Sequence, residues 1–316
     1  MKDTTFITRV VLKYYKSISA CDVRLGPLTF LVGPNGAGKS NFLDALRFVA
    51  DSLRDSLDHA LRSRGGIGEV RRRSGGHPTH FGVRLEFRLP SGRTGHYAFQ
   101  VGARPQGGYE VQTEECAIRR PIELLASPGE PPDVSFRVEA GNVRTNASAQ
   151  PAASADRLYL VNASGIPEFR PVYDALSRMG FYNLNPDRVR DLQTPVSGEL
   201  LARDGSNIAS VLERLEKHDA ASKKIIEEYL SKVVPGVQGV DAKTIGPKET
   251  LEFRQRVAGS KSPWRFLAAN MSDGTLRALA VLVALFQQPN GGGSVPLVGI
   301  EEPEIALHPF AAAVLL

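Results

Sequence analysis

Residues 28–41 read LTFLVGPNGAGKSN, and this stretch decides the fold. Its first part, residues 29–32, is a short apolar run of β-favouring residues, which predicts a buried strand. Residues 33–40 match G-x-x-x-x-G-K-[ST], the P-loop motif. Apolar residues then recur at helical spacing, at Phe42, Leu46, Val49, Leu53, Leu57 and Leu61. Strand, loop and helix follow in the order that a phosphate-binding loop needs, which favours that interpretation over a glycine-rich turn without a ligand.

The residue types of this loop fit a nucleotide and a magnesium ion. Glycines let backbone N–H groups approach phosphate oxygens, and the start of a helix adds a positive dipole end. Lys39 brings positive charge to the β- and γ-phosphates and is a predicted catalytic residue, while the Ser40 hydroxyl would bind Mg²⁺. Tyr14 or Tyr15 would either stack on adenine or pack as a half-buried strand residue. The predicted contacts of ATP in the loop are Gly33, Pro34, Asn35, Gly36, Ala37, Gly38, Lys39, Ser40 and Asn41.

The composition is that of a globular protein without secretory or membrane features. The 316-residue chain is 42% hydrophobic, carries a formal charge of +5 and has a pI of about 9.2. That charge is too small to identify a polyanionic partner by itself. Two cysteines give no disulfide framework, and the N-terminus has no apolar signal core. The longest apolar run, residues 278–286, is far shorter than a membrane span of about 20 residues. We therefore expect a cytoplasmic protein with no membrane partner.

The middle of the chain shows two periodicities. From Phe81 onward apolar and polar residues alternate, and turn residues separate repeats of the pattern, which predicts an inserted antiparallel β-meander over residues 81–161. From Pro167 the spacing becomes helical, and residues 165–260 contain short helices without a sustained heptad run. Long coiled-coil arms are therefore excluded.

Residues 62–80 are rich in arginine and glycine, and predict a flexible basic loop. No aromatic residue interleaves them, so base stacking there is unsupported. Such a run is either a solvated surface or a contact to phosphate, in nucleic acid or in a nucleotide. Both interpretations stay open, and the residues that would contact DNA are Arg71, Arg72 and Arg73.

A second short motif precedes the apolar run 278–286. Residues 270–277 read NMSDGTLR, which puts Ser272, Asp273 and Gly274 at the start of a predicted helix. Backbone N–H groups, a hydroxyl and a helix dipole suit a phosphate. Ser272 or Asp273 would also serve as an ordinary helix N-cap, which is the alternative.

A third motif closes a strand pattern. Residues 295–300 read VPLVGI, typical of a buried strand, and Glu301 and Glu302 follow directly. Acidic residues at the end of a buried strand, in a chain with a P-loop, can hold Mg²⁺ and polarise an attacking water. We predict Glu301 as a metal ligand and Glu302 as the catalytic residue that orients or deprotonates water, with a solvated acidic loop as the alternative.

The segments GPNGAGKSN, MSDGTLR and LVGIEEPEIALHP, in this order, resemble the motifs of ABC-type ATPases of the SMC, RecF and OLD families. The resemblance implies an α/β fold, the P-loop NTPase of an ABC ATPase head, with an inserted antiparallel β-meander and a helical subdomain. It further implies that residues 1–316 form one ATPase head. Its predicted parts are a P-loop lobe (1–61), the β insertion (81–161), a helical lobe (165–260), and a last part with signature, Walker B acids and D-loop (270–316).

In these families two heads sandwich the nucleotide. The resemblance therefore implies a homodimer in which Ser272, Asp273 and Gly274 of one protomer reach the γ-phosphate held by Lys39 of the other. It implies hydrolysis of ATP to ADP and phosphate, coupled to DNA transactions or to a partner nuclease, in DNA repair or phage defence. The alternative is a nucleotide-gated scaffold that binds ATP with little hydrolysis and controls a partner effector.

Three features depart from the family pattern. The first Walker B acid is usually aspartate, whereas Glu301 stands here, which lengthens the arm and keeps the charge. The Q-loop glutamine is hard to place, and Gln193 is its candidate. The family continues past a D-loop helix, here residues 305–307, to a switch histidine, whereas this sequence stops at Leu316. We therefore expect a head that is incomplete at its C-terminus.

Overall fold

The computed structural model describes residues 6–74, 78–121, 132–197, 200–288 and 295–305. The chain divides into two compact units, Met1–Met179 and Gly180–Leu316. The first unit contains the P-loop, and the second contains the SDG motif and the two acidic residues.

The first unit is built on a seven-stranded antiparallel sheet in the order β2-β1-β3-β4-β5-β6-β7. The strands are β1 Ile7–Tyr15, β2 Ile18–Arg24, β3 His80–Arg88, β4 Thr94–Ala103, β5 Tyr109–Arg119, β6 Val134–Glu139 and β7 Asn142–Thr145. Consecutive strands from β3 to β7 are neighbours, so the predicted antiparallel meander is confirmed.

One face of this sheet is apolar, because buried and partly exposed residues alternate along its strands. The helix α1 (Lys39–Arg54) buries Phe48 against the rings of Tyr15, Phe81 and Phe99, at centroid distances of 6.1, 5.3 and 6.3 Å. Each aromatic pair adds about 1 kcal/mol beyond the burial of its area. The other helices of this unit are α2 Leu57–Arg62, α3 Ile67–Val70, α4 Tyr159–Ala163 and α5 Arg170–Ser177.

The helical pattern after the P-loop is divided into two helices. α1 ends at Arg54, and the Ser56 side chain caps α2 by accepting the backbone N–H of His59 at 3.0 Å. Serine and aspartate favour caps over helix interiors, which is why the break falls at this point. The apolar spacing persists through it, since Leu53, Leu57 and Leu61 are all buried.

The strand predicted for residues 29–32 is wrong. These residues have no strand in the structure, and Leu28, Phe30 and Val32 are 64%, 56% and 91% exposed. A strand needs a hydrogen-bonded neighbour, and β2 at the edge of the sheet ends at Arg24, before this segment begins. β-propensity describes how side chains fit a pleated, half-buried surface, and it does not create that surface.

The second unit is organised around α9 (Asp273–Phe286), which is buried from Thr275 to Ala284 on all sides, as a core helix is. α7 (Ile208–His218) and α8 (Ala220–Val233) contribute buried residues to the same cluster. Its other elements are α6 Pro186–Arg190, β8 Gly180–Tyr182, β9 Val237–Ile245, β10 Lys248–Gln255, β11 Trp264–Leu267, a 3-10 helix Ala268–Asn270 and β12 Val298–Ile300. β9, β10 and β11 form an antiparallel sheet, and β12 pairs in parallel with β8.

Candidate nucleotide-binding site

The P-loop leads directly into the N-terminus of α1. Gly36 and Gly38 have φ angles of 79° and 96°, in the left-handed region that glycine adopts without strain. Gly38 is the N-cap of α1. Because it has no side chain, no side-chain acceptor caps the backbone N–H groups of the first helical turn. A Cβ at Gly38 would lie 3.4 Å from the Ser17 hydroxyl oxygen. This helix start therefore suits an anion, and position 38 tolerates little beyond glycine.

Lys39 is the first residue of α1, and its side chain folds back over the loop. Its Nζ donates to the carbonyl oxygens of Gly33 at 2.6 Å and Pro34 at 3.0 Å. Ser40 is exposed in the same helical turn. The ammonium group and the hydroxyl predicted to meet phosphate and Mg²⁺ thus lie at one helix end, beside the loop backbone.

The turn between β1 and β2 supports this helix end. The Asn41 side-chain amide donates to the Ser17 hydroxyl oxygen at 2.7 Å. The Arg72 guanidinium donates to the Ser17 carbonyl, and the Arg72 backbone N–H donates to the Tyr14 carbonyl at 2.6 Å. The Ser17 turn therefore links the P-loop helix to Arg72, which lies in the predicted basic loop, residues 62–80.

Residues 62–80 were predicted to form one flexible basic loop, and that prediction is wrong. α3 folds within residues 62–80, and α2 ends at Arg62, the first residue of that run. Arg71 forms an isolated β-bridge with Tyr15 and donates to the Pro78 carbonyl at 2.7 Å. Arg73 is exposed and pairs with Glu69. Arg71 and Arg72 are partly buried, and of the three arginines predicted to contact DNA only Arg73 is exposed.

A buried charge network behind α1 was not predicted. Arg64 pairs with Asp44 at 3.0 Å and with Asp51 at 2.9 Å, and Lys16 pairs with Asp44 at 2.6 Å. Burial by itself raises the pKa of Asp44, but Arg64, Lys16 and Arg47 outweigh it and hold that pKa below its usual value. The sequence signal was the spacing of Asp44 and Asp51 on one face of the helix, two turns apart.

The two tyrosines have different environments. Tyr15 is fully buried, and its hydroxyl donates to the Asp44 carboxylate at 2.8 Å, so it is a core residue and cannot stack on adenine. Tyr14 is 37% exposed, has a φ of 55°, and meets the His80 ring edge-on at a centroid distance of 5.5 Å. Adenine stacking therefore stays a prediction for Tyr14 alone.

Ser272 is the N-cap of α9, and its hydroxyl oxygen accepts the Thr275 backbone N–H at 3.3 Å. Asp273 pairs with Arg190, whose guanidinium also donates to the Met271 carbonyl at 3.4 Å. Ser272 and Asp273 are exposed, and Gly274 is half-buried in the first turn. The motif is therefore an N-cap that also faces outward, so the two interpretations of its sequence do not exclude each other.

The acidic turn follows β12. The Glu301 backbone N–H donates to the Tyr182 carbonyl at 2.9 Å, which continues the pairing with β8. The Glu301 carboxylate accepts a hydrogen bond from Arg203 at 2.9 Å and is mostly buried. Glu302 is exposed and has a φ of 48°, an unusual left-handed conformation for a residue with a Cβ. Arg203 is a partner of the predicted metal ligand that sequence reasoning missed.

Gln193 does not have the exposed setting of a loop that senses nucleotide. It is buried, its side-chain oxygen accepts the Ala209 backbone N–H at 3.0 Å, and its amide donates to the Val189 carbonyl at 3.3 Å. These bonds give it a structural role in the second unit. Most of the predicted D-loop, residues 306–307, lies outside the described residues.

The predicted site residues fall into two groups. The P-loop residues from Gly33 to Asn41 lie together in the first unit, and the SDG motif and the acidic turn lie in the second.

Within the described ranges, no helix combines the length and apolarity that crossing a membrane requires. Cys21 and Cys116 are both free thiols.

The architecture is that of an SMC ATPase head, a P-loop NTPase fold, which confirms the predicted fold class. A crystal structure of the Smc head bound to the C-winged helix domain of ScpA matches with a TM-score of 0.54 and 15% identity, covering 98% of this chain and 85% of that chain. The family described as "AAA domain, putative AbiEii toxin, Type IV TA system" matches residues 28–316, and the chain belongs to this family.

Curated relatives come from the three families that the motifs resemble. The chromosome partition protein Smc of Coxiella burnetii is 26% identical over 195 residues, 55% of this chain and 16% of Smc. RecF of Vibrio vulnificus is 42% identical over 41 residues, 13% of this chain and 11% of RecF. The OLD nuclease of Thermus scotoductus is 41% identical over 51 residues, 16% of this chain and 10% of the nuclease. The chain thus spans about a sixth or less of these relatives, and the resemblance to SMC, RecF and OLD ATPases is confirmed.

Proposed function

We propose that this chain is an ATP-binding head that dimerises on ATP and hydrolyses it, with Mg²⁺, to ADP and phosphate. The observation that carries the proposal is the helix start at Gly38, where an uncapped N-terminus, left-handed glycines and the Lys39 ammonium group come together. Phosphate oxygens match such a set of donors in charge and in geometry. The Ser40 hydroxyl stands in the same turn for the metal ion.

The SDG motif and the acidic turn supply the other half of the proposal. Ser272, Asp273 and Gly274 are assigned to the γ-phosphate bound by a second protomer, which the exposed position of Ser272 and Asp273 permits. Glu301 is assigned to Mg²⁺, which proteins bind through one or two ligands while phosphates and water complete the shell. Glu302 is assigned to the attacking water.

The coupled process is a DNA transaction or the action of a partner nuclease, in DNA repair or phage defence. The relatives support this, since they include a chromosome partition protein, a DNA replication and repair protein and a nuclease. The chain matches only small parts of these proteins, so the coupling is an analogy between relatives.

Turnover of radiolabelled ATP by wild type, Lys39→Ala and Glu302→Gln tests the proposal. We expect Lys39→Ala to lose nucleotide binding. Glu302→Gln should still bind nucleotide, but its rate of ATP hydrolysis should be lowered by roughly 100-fold. Specific activity should rise with protein concentration because a dimer is required. Lys224→Ala, an exposed lysine on α8, is the matched control and should equal wild type. Identical rates in wild type, Lys39→Ala and Glu302→Gln would refute the catalytic assignment.

The second candidate is a nucleotide-gated scaffold that controls a partner effector. The pairing of Glu301 with Arg203 favours it, because this ion pair occupies the carboxylate assigned to Mg²⁺. ATP binding that depends on Lys39, with no turnover at high protein concentration, would select the scaffold over the enzyme.

A further inference from the structure

Arg277 links the SDG helix to the acidic turn. It lies on α9 among the buried apolar residues 278–284 and is itself 5% exposed. Its Nη1 donates to the Leu184 carbonyl, and its Nη2 donates to the carbonyls of Glu301 at 3.1 Å and Glu302 at 2.5 Å. One guanidinium group therefore joins α9, the segment after β8 and the turn that carries both acids.

An arginine is a costly residue at this place in the core. Burial lowers the pKa of Arg277, although the carboxylates of Glu302 and Glu304 act in the opposite direction. Its Nε–H is buried and has no acceptor in the described part of the chain. Leucine or methionine would fill the space without this desolvation. Packing alone therefore does not account for arginine, and the hydrogen bonds to three backbone carbonyls do.

The two bonds to the acidic turn fix the backbone on both sides of Glu302. The Glu301 carbonyl belongs to the peptide group before the Glu302 Cα, and the Glu302 carbonyl belongs to the peptide group after it. Holding both oxygens restrains φ and ψ of Glu302 together, and φ is in the left-handed region at 48°. Such a conformation persists only where its surroundings determine it.

We propose that Arg277 is a positioning residue for Glu302. By holding the peptide groups that flank the Glu302 Cα, it sets the direction in which the carboxylate leaves the backbone. This inference rests on the proposed function, in which Glu302 orients the attacking water. Because the guanidinium is carried by α9, whose N-cap is Ser272, a shift of α9 would also move the backbone of Glu302.

Hydrogen exchange tests the positioning without any need for turnover. We compare the full chain with Arg277→Met and Arg277→Lys, and follow peptides that cover residues 298–305 and 278–284. In Arg277→Met we expect residues 298–305 to exchange roughly tenfold faster or more, with a smaller change in α9. Arg277→Lys keeps a cationic donor group but loses the guanidinium fork, and should lie between methionine and wild type. It also serves as the test variant if Arg277→Met fails to fold.

Val283→Ala is the control, because it removes buried volume from the same helix and leaves the hydrogen bonds of Arg277 to the acidic turn in place. Exchange in residues 298–305 should be unchanged in this variant. Equal acceleration in Val283→Ala and in Arg277→Met, or no acceleration in Arg277→Met, would show that Arg277 does not hold the turn.

A double-mutant cycle with steady-state kinetics tests the effect on Glu302. We expect Arg277→Met to lower kcat by roughly 10- to 100-fold while KM for ATP stays within about twofold. In the Glu302→Gln background the same substitution should lower the rate no further, because its effect passes through the missing carboxylate. Equal losses in both backgrounds, or a loss confined to KM, would overturn the inference.

Hydrogen exchange and the double-mutant cycle together distinguish a failure of the proposed function from a failure of the role proposed for Arg277. If wild type hydrolyses no ATP, the proposed function fails, and the exchange arm still decides whether Arg277 holds the acidic turn. If wild type hydrolyses ATP and the cycle is additive, the proposed function stands and the role of Arg277 falls.

Discussion

Glu114 is a carboxyl group buried completely at the start of α4. Its oxygens accept the Tyr97 hydroxyl at 3.0 Å and the backbone N–H groups of Tyr159 at 2.5 Å and Leu160 at 2.8 Å. Burial raises its pKa to about 7, although these three hydrogen bonds act in the opposite direction. The group ties β5 to α4 and belongs to no part of the candidate site.

This raised pKa predicts a pH-dependent stability. The folded state holds the Glu114 proton more tightly than the unfolded chain, whose pKa is about 4.5. The stabilisation is therefore complete below pH 4.5 and is lost as pH rises through about 7. Glu114→Gln keeps an acceptor and removes the titration, so between pH 5 and pH 8 wild type should lose roughly 2–3 kcal/mol relative to it.

Urea unfolding at several pH values measures this difference. Glu110→Gln, which changes a more exposed carboxylate on the same strand, is the control and should leave the pH slope of wild type unchanged. A constant difference between wild type and Glu114→Gln at every pH would mean that folding does not raise the pKa of Glu114.

At the scale of elements, residues 29–32 before the P-loop have the sequence pattern of a buried strand but are exposed and form no strand. If Val32 is 91% exposed, Val32→Thr should change the free energy of unfolding by about 0.5 kcal/mol or less. If residues 29–32 were a buried strand, the added hydroxyl would cost about 1–3 kcal/mol. Val10→Thr, in the buried middle of β1, is the matched control and should show that larger loss. Equal losses at both positions would contradict the exposed segment.

Features that depend on local residue order are the ones that the sequence predicts well. The P-loop, the N-cap Ser272 and the alternating strands β3 to β7 depend on local residue order, so motif and periodicity identify them. Arg64 and Arg277 could not be found in this way. Arg64 looks like one charge in a basic run, yet its partners are Asp44 and Asp51 on α1. Arg277 bonds carbonyls 93, 24 and 25 residues away, and carbonyl positions leave no trace in residue identities.

The segment that carries Arg71, Arg72 and Arg73 has its own prediction at this scale. We propose it as a DNA contact, with Arg73 as the exposed side chain. Arg73→Ala should lower the slope of log affinity against log salt by about one, whereas Arg71→Ala and Arg72→Ala should mainly lower stability because both side chains bond backbone carbonyls. Binding of a labelled duplex at several salt concentrations measures the slope.

Arg170→Ala is the control for this experiment, since Arg170 is an exposed arginine on α5 and lies outside the basic run 62–80. Its slope should equal that of wild type. An unchanged slope for Arg73→Ala and for the triple alanine variant would remove the segment from the DNA interface.

At the scale of the whole molecule, the proposed site is shared between two chains, and mixing two inactive variants tests this. Lys39→Ala lacks the P-loop charge and keeps the SDG motif. Ser272→Asp keeps the helix cap, because aspartate caps as well as serine, but puts a negative charge where the γ-phosphate would bind. In a mixed dimer the P-loop of the Ser272→Asp chain faces the SDG motif of the Lys39→Ala chain, and one site is intact.

We therefore expect each variant alone to be nearly inactive, and an equal mixture to recover about a quarter of the wild-type rate, since half of the dimers are mixed and each has one of two sites. Mixing Lys39→Ala with the double variant Lys39→Ala/Ser272→Asp should recover nothing, because no intact P-loop is present. Recovery in the first mixture alone requires that the two motifs act on one nucleotide from different chains. If the first mixture gives only the average of its two components, each chain must complete its own site, and dimerisation would then have to serve something other than catalysis.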